Sequence, residues 1–207
     1  MGKKLKKTKI YTLLVFVFIS ILSFSQTEEI KLYYENGKLK EEYTLVDGKK
    51  DGLIKYYHEN GQLSMEYTLV DGKLNGLWKE YYENGKIRSE GNYVEGNRDG
   101  LWKEYYLNGH IGDEINYKGG NRDGLHKMYH VPSTSEWNGK DQRRLMYIIN
   151  MKDDGFHGPY KSFYENGNLK VEGNYIDGNP DGIWKYYWES NGKLKEIKTF
   201  KDGVEVE

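Results

Sequence analysis

The sequence predicts an all-β protein, an elongated single-layer antiparallel sheet made of stacked β-hairpin repeats. Asn-Gly pairs mark the repeat, and the first four begin at intervals of 24 residues. A fixed period of this length indicates a repeat array. Runs rich in Tyr and Trp lie between the pairs, and residues 26–207 show no sustained helical period. The pairs begin at Asn36, Asn60, Asn84, Asn108, Asn138, Asn166 and Asn191.

The first 25 residues have the layout of a secretory signal peptide, which we expect to form a helix and to be removed. Five lysines precede an apolar run from Ile10 to Phe24, and Ser23 and Ser25 supply small residues before Gln26. The apolar run is shorter than the roughly 20 residues that span a bilayer as a helix. An uncleaved membrane anchor is the alternative. The layout predicts an exported protein of the periplasm, cell envelope or extracellular space, which contacts the membrane only through this segment during export.

Charge and cysteine content exclude several classes of function. Removing the five lysines of residues 1–25 leaves 26 basic against 32 acidic residues, a net charge of −6. An acidic surface argues against a nucleic-acid partner, because phosphates require a basic stripe. It also argues against anionic lipid as the main ligand. The chain has no cysteine, so neither disulfides nor a cysteine-linked lipid anchor can form.

Each repeat contains two strands and two turns. The first strand carries the motif Gly-Leu-Trp-Lys-x-Tyr-Tyr, and alternation places Trp78, Glu80 and Tyr82 on one face. Leu77 lies on the other face. Asn84-Gly85, Asn108-Gly109 and their equivalents then predict type I′ hairpin turns, since Asn and Gly both tolerate positive φ. An alternating second strand and a glycine-rich return complete the unit.

One position of the repeat is glycine in every regular copy. It precedes the Leu-Trp pair, and a position that repeatedly selects glycine indicates positive φ or close backbone approach. The residues at this structural turn are Gly52, Gly76, Gly100, Gly124 and Gly182.

The array occupies residues 26–207, and its regularity breaks around residues 130–150. The glycine interval there is 34 residues, which indicates an insertion of about ten residues relative to the 24-residue repeat. Val131 to Ser135 is typical of a loop. Arg143 to Met151 is predicted to be the strand that completes the interrupted hairpin. A long loop in a compact array is either functional or flexible.

Two segments resemble the MORN repeat in its bacterial variant form. They are Gly-Leu-Trp-Lys-Glu-Tyr-Tyr-Glu-Asn-Gly-Lys at 76–86 and Gly-Ile-Trp-Lys-Tyr-Tyr-Trp-Glu-Ser-Asn-Gly-Lys at 182–193. The resemblance covers roughly Ile30 to Val204. It implies an elongated sheet of stacked hairpins with a protein-binding or scaffolding role. Bacterial chains of this variant are often grouped with YwqK-like antitoxins, which are thought to neutralise a toxin by binding it.

Residues capable of catalysis or metal binding are present, but their spacing does not favour a site. His126 and His130 fall in a predicted strand, where positions four apart lie about 13 Å from each other. We therefore interpret both as polar strand positions. The turn at Gly119–Leu125 is similar to calcium-binding glycine-aspartate turns, but such turns repeat every nine residues. We assign no catalytic residue, metal ligand or cofactor and predict that the protein is not an enzyme.

The recurrent aromatic residues Trp78, Trp102, Trp184, Tyr82 and Tyr106 have two interpretations. They form either a packing ladder or an exposed row that grips a protein strand or a sugar chain. We favour packing for the tryptophans. The resulting hypothesis is an exported, non-enzymatic protein that binds another protein through its sheet, with an antitoxin or immunity role as a narrower version. An envelope structural or carbohydrate-contacting protein is the alternative.

Overall fold

A computed structural model describes residues 26–131 and 144–206, which form one open antiparallel sheet of 15 strands in sequence order. This confirms the predicted all-β fold of stacked hairpins. At about 4.8 Å between strands, the sheet extends for about 70 Å. The predicted signal-peptide helix and most of the inserted loop lie outside the described residues. The strands are β1 Thr27–Tyr33, β2 Leu39–Val46, β3 Lys49–Tyr57, β4 Leu63–Val70, β5 Lys73–Tyr81, β6 Ile87–Val94, β7 Asn97–Tyr105, β8 Ile111–Lys118, β9 Asn121–Tyr129, β10 Leu145–Lys152, β11 Gly155–Phe163, β12 Leu169–Ile176, β13 Asn179–Tyr187, β14 Leu194–Lys201 and β15 Val204–Val206.

The Asn-Gly turns differ from the prediction of a type I′ turn. Asn84 has negative φ, and only Gly85 has positive φ, at +80°. The amide of Gly85 donates to the carbonyl of Tyr82 at 2.9 Å, and the amide of Tyr82 donates to the carbonyl of Lys86 at 2.9 Å. This is a three-residue loop with a type I turn and a left-handed glycine. The prediction was wrong because the Asn side chain stabilises the turn itself: its Oδ1 accepts the amide of Lys86 at 3.0 Å.

The two-residue turns with two positive φ values are instead the Asp-Gly turns, which lie at the opposite ends of the strands from the Asn-Gly loops. Asp47 and Gly48 have φ values of +50° and +78°, and Asp71 and Gly72 have +51° and +77°. These are the values that a type I′ turn requires. The sheet therefore alternates between two kinds of turn, and the Asn-Gly loops of the described residues all lie at the same ends of the strands.

A bulge interrupts the first strand of each repeat at the recurrent glycine. Asp99 pairs with Asn92 and Lys103 pairs with Glu90, so three residues of β7 lie opposite Gly91 alone. Positive φ at the glycine produces this bulge. The φ values are +78° at Gly52, +92° at Gly76, +72° at Gly100, +105° at Gly124 and +74° at Gly182.

The sheet has two chemically different faces. We call one the aromatic face, defined by the central row Ile54, Trp78, Trp102, His126, Tyr160 and Trp184. We call the other the Lys–Glu face, defined by Lys55, Lys79, Lys103, Lys127, Lys161 and Lys185 with the glutamates that pair with them. The core lies on the aromatic face, where Ile54 is 0% and Trp102 1% exposed. On the Lys–Glu face, Leu77 is 52% exposed.

Tyrosine–glutamate hydrogen bonds cross-link neighbouring strands on the Lys–Glu face. In five copies a Tyr hydroxyl donates to a Glu carboxylate 15 residues earlier, as Tyr81 does to Glu66 at 2.6 Å. The copy with the insertion has Phe163 and Ile148 at these two positions. Donor and acceptor are thus lost together, which avoids leaving a buried polar group unpaired.

The hairpin that contains the insertion is formed by β9 and β10, which pair directly. His126 of β9 pairs with Ile149 of β10, and the amide of His130 donates to the carbonyl of Arg144 at 2.9 Å. The repeat architecture therefore continues across the insertion, and the strand predicted from Arg143 to Met151 corresponds to β10 at Leu145–Lys152, with Arg143 outside the described residues.

Candidate functional site

The tryptophans of the aromatic face pack along the sheet. The rings of Trp78 and Trp102 lie 5.3 Å apart, and Tyr93 and Tyr117 meet the Trp102 ring edge-on at 5.2 and 6.1 Å. The guanidinium of Arg98 lies 4.2 Å from the centre of the Trp102 ring. Trp184 forms a separate cluster with Tyr160, Tyr175 and Phe200.

Glycines of the neighbouring strand provide the platform for the buried tryptophans. A Cβ atom on Gly91 would lie 2.1 Å from the Trp102 ring, and one on Gly173 would lie 2.2 Å from the Trp184 ring. Sequence reasoning did not assign this role to either glycine. The signal was a glycine in mid-strand, which often marks close approach of another group.

The aromatic residues that follow the first strand of each repeat connect one repeat to the next. The hydroxyl of Tyr82 donates to the carbonyl of Tyr105 at 2.6 Å, and that of Tyr106 donates to the carbonyl of Tyr129 at 2.7 Å. Burial raises the pKa of Tyr106, and the carboxylate of Asp113 contributes to the same effect. The amide of Asn84 adds a second connection to the carbonyl of Leu107 at 3.2 Å.

Three of the five predicted aromatic residues line a common cleft. Its volume is about 420 Å³, and it lies on the aromatic face over β5 to β8. We call it the central cleft. The aromatic residues in its lining are Trp78, Tyr82, Tyr105 and Tyr106, and the charged residues are Glu80, Arg88, Arg98, Glu104 and Asp113. Trp102 is almost fully buried and does not line the cleft. Trp184 belongs to the separate cluster with Tyr160, Tyr175 and Phe200.

The cleft exists because one row of the aromatic face changes composition. The pairing register aligns Glu80, Ser89, Glu104 and Asp113 across β5 to β8. The strands on either side of this stretch carry the larger side chains Tyr56, Met65, Met128 and Tyr147 in the same row, and Glu41 and Ser162 recur singly further out. Small and acidic residues thus occupy this row on four successive strands at the middle of the array. Sequence reasoning missed this row, because bulges must be located before residues on different strands can be aligned.

The two histidines considered as metal ligands have separate structural roles. His126 is 6% exposed, and its Nε2 lies 2.9 Å from the carboxylate of Asp113. The interpretation as a polar strand position is confirmed for His126, which lies in β9 in the buried row of the tryptophans, but His130 lies just beyond the end of β9 at Tyr129. Nε2 of His130 lies 3.3 Å from the carbonyl of Phe163. Within the described ranges, no cluster of three or more His, Asp or Glu side chains could hold a metal ion.

Neither residues 26–131 nor residues 144–206 contain a helix with the length and apolar character needed to span a bilayer. The central cleft lies on one side of a single sheet layer, and the Lys–Glu face lies on the other side of the same layer.

Comparison with known families assigns the repeat. The MORN repeat variant matches six segments that together cover more than half of the chain, at residues 29–47, 50–71, 74–95, 98–118, 156–177 and 180–202. The match names a repeat and no catalytic family. A comparison with curated proteins finds no match. The match and the sheet of stacked hairpins agree, and the chain therefore belongs to the MORN repeat variant family.

Proposed function

We propose that this chain is an exported, non-enzymatic repeat protein that binds another protein through the aromatic face of its sheet. The central cleft carries the proposal, because it combines the ring surfaces of Trp78, Tyr82 and Tyr106 with charged side chains. Aromatic and charged groups in one recess are typical anchors of protein interfaces. The family assignment supports a binding role, since MORN repeats often mediate protein or membrane interactions.

The site of action that we propose is outside the cytosol. The basic and apolar layout of residues 1–25 supports export, and the acidic charge of the remainder supports a protein rather than a nucleic-acid partner. An antitoxin or immunity role is a narrower form of the proposal and rests on the resemblance alone. Mass spectrometry of the native protein should find an N-terminus near Gln26. An intact Met1 in the soluble cytosolic fraction would contradict export.

Two charge substitutions on one strand test which face binds the partner. Glu104 and Leu101 both lie on β7 and both are exposed, but their side chains are on opposite faces. A partner captured from the envelope fraction should form a stoichiometric complex with the purified protein. Glu104→Lys should weaken this complex by at least tenfold, since charge reversal at an interface anchor costs about 1.4 kcal/mol or more.

Leu101→Lys is the matched control and should leave the affinity unchanged. Loss of binding by Leu101→Lys alone would assign the interface to the Lys–Glu face and refute the central cleft as the site. Absence of any stoichiometric protein complex would refute the proposal itself.

A carbohydrate-contacting envelope protein is the second candidate. The observation that favours it is the ring surface of Trp78, Tyr82 and Tyr106 in one recess, because flat rings also stack on sugars. Retention of the protein on cell-wall or glycan material, together with failure to capture a protein, would select this candidate.

A further inference from the structure

The repeats contain an internal cation–ring contact at each end of the array. The aromatic residue that begins an Asn-Gly loop is covered by a lysine from the strand that follows the loop. The ammonium group of Lys40 lies 5.6 Å from the centre of the Tyr34 ring. The same distance separates Lys170 from the Tyr164 ring, and Lys195 lies 4.6 Å from the Trp188 ring. These distances are within the range of cation–π attraction.

The presence of a cation depends on the ring that it would cover. In two copies the loop begins with His58 or His130, and the residue in the lysine position is then Ser64 or Met146. A histidine ring is a weaker partner for a cation than Tyr or Trp, which are the rings favoured in such contacts. The pairing of Tyr or Trp with a cation, and of His with a neutral residue, therefore has a physical reason.

Tyr106 is the exception to this pairing. The residue in the lysine position is Gly112. The Tyr106 ring lies so close to the backbone of Gly112 that a Cβ atom on Gly112 would lie 3.1 Å from the ring. In the neighbouring copy, Arg88 follows Tyr82 but donates to the carboxylate of Glu80 at 2.8 Å. Gly112 itself lines the central cleft, so the cleft lies beside the position at which the other copies carry a lysine.

The electrostatics of the cleft favour a cation at this place. Glu104 and Asp113 are directly paired across β7 and β8, and like charges in opposite positions destabilise a sheet. The Asp113 carboxylate faces His126, whereas the Glu104 carboxylate has no hydrogen bond or ion pair within the described residues.

The two arginines of the cleft do not supply that cation. The guanidinium of Arg88 is bound to Glu80, and the guanidinium of Arg98 lies over Trp102 and donates to the hydroxyl of Tyr117 at 3.0 Å. The carboxylate of Glu104 therefore remains available to a ligand.

We propose that the central cleft binds a lysine side chain of the partner protein, with its ammonium group beside the Tyr106 ring and the Glu104 carboxylate. The ligand replaces the lysine that the repeat lacks at Gly112. This inference rests on the proposed function for the origin of the lysine. Its chemistry rests on the three copies in which the chain supplies the lysine itself.

A lysine analogue tests the site without knowledge of the partner. The full chain is titrated with Nα-acetyl-lysine amide, and the indole N–H resonance of Trp78 is followed by NMR. We expect a saturable shift with this probe and none with the norleucine analogue, which has a similar apolar chain without the charge. Glu104→Gln should weaken binding of the probe about threefold to fivefold, the effect of an exposed ion pair of up to about 1 kcal/mol.

Two further variants separate the site from general effects. Gly112→Lys should abolish the shift, because the chain then supplies its own lysine beside Tyr106. Glu28→Gln removes one carboxylate from exposed β1 and should not change the affinity. If Gly112→Lys does not fold, Glu104→Gln and Glu28→Gln still form the required pair.

The outcomes distinguish this inference from the proposed function. An equal response to the norleucine analogue, no response to either probe, or a response only to an N-acetylglucosamine oligomer would overturn the lysine site. If those results accompany a protein complex that Glu104→Lys weakens, the proposed function stands and the inference fails. A specific response to lysine without any protein complex would support the site and refute the proposed function.

Discussion

Replacement of Gly91 by alanine should destabilise the sheet, because the Trp102 ring occupies the space of the new methyl group. The added Cβ would lie 2.1 to 2.5 Å from three atoms of the indole, whereas carbon atoms in contact are separated by about 3.5 Å or more. The ring would therefore have to move by more than about 1 Å. Trp78, Tyr93 and Tyr117 surround it and oppose that movement.

We expect a loss of about 2–3 kcal/mol, the upper part of the range for overpacked cores. Urea denaturation followed by tryptophan fluorescence measures the change. Gly155→Ala is the matched control, since its φ is not left-handed and the nearest atom to the new Cβ is 3.4 Å away. Its free energy of unfolding should stay within about 0.5 kcal/mol of the native value.

A double-mutant cycle isolates the contact between the glycine and the ring. Trp102→Ala alone should cost about 3–5 kcal/mol, as expected for a buried aromatic side chain. In that background Gly91→Ala should cost less than about 0.5 kcal/mol, because the ring is gone. An equal cost of Gly91→Ala in both backgrounds would refute the platform role of the glycine. An unchanged midpoint for Trp102→Ala would refute the packing ladder and favour the tryptophan row as an exposed binding surface.

Three further predictions concern the backbone and the Tyr–Glu hydrogen bonds. Gly100→Val should cost about 1–3 kcal/mol through backbone strain alone, since an added Cβ has no atom within 4 Å; calorimetry should show a lower Tm, and an unchanged Tm would contradict strain at this bulge. Ile148→Glu combined with Phe163→Tyr should be more stable in urea than Ile148→Glu alone by about 1 kcal/mol, and equal stability would refute their coupling. Burial and the hydrogen bond to Glu42 raise the pKa of Tyr57 to about 12. The protonated Tyr57 hydroxyl therefore contributes its full stabilisation of the folded state below pH of about 10, and this contribution is lost as the pH rises toward 12. Alkaline urea titrations should show this loss, and Tyr57→Phe should reduce it.

The sequence was sufficient to predict the repeat, the strand type and the antiparallel order. The 24-residue interval and the aromatic strand motif carry that information locally, and tertiary packing does not override it. The Asn-Gly turns were predicted incorrectly, because an Asn-Gly pair is compatible with both a two-residue and a three-residue hairpin loop, and the choice depends on the number of residues between the paired positions. Negative φ at Asn84 and the pairing of Tyr82 with Lys86 follow from that number.

The central cleft could be predicted only in part. Trp78, Tyr82 and Tyr106 were identified from their recurrence, but their neighbours Glu80, Ser89, Glu104 and Asp113 are brought together by strand register. Each bulge at the recurrent glycine adds residues to one strand and shifts this register. An alignment of neighbouring strands that omits these bulges therefore pairs the wrong residues. The burial of His126 was missed for the same reason, since its row is recognised only after Ile115 and Ile149 are placed beside it.

Mapping of the partner-bound surface by NMR tests the central claim most directly, that the aromatic face binds a protein. Side-chain resonances of Trp78, Tyr82 and Tyr106 report on the central cleft, and methyl resonances of Leu77 and Leu101 report on the opposite face of the same strands. On addition of the captured partner, we predict changes confined to the first group. Changes confined to the leucine methyl groups, with the ring resonances unaffected, would contradict the account.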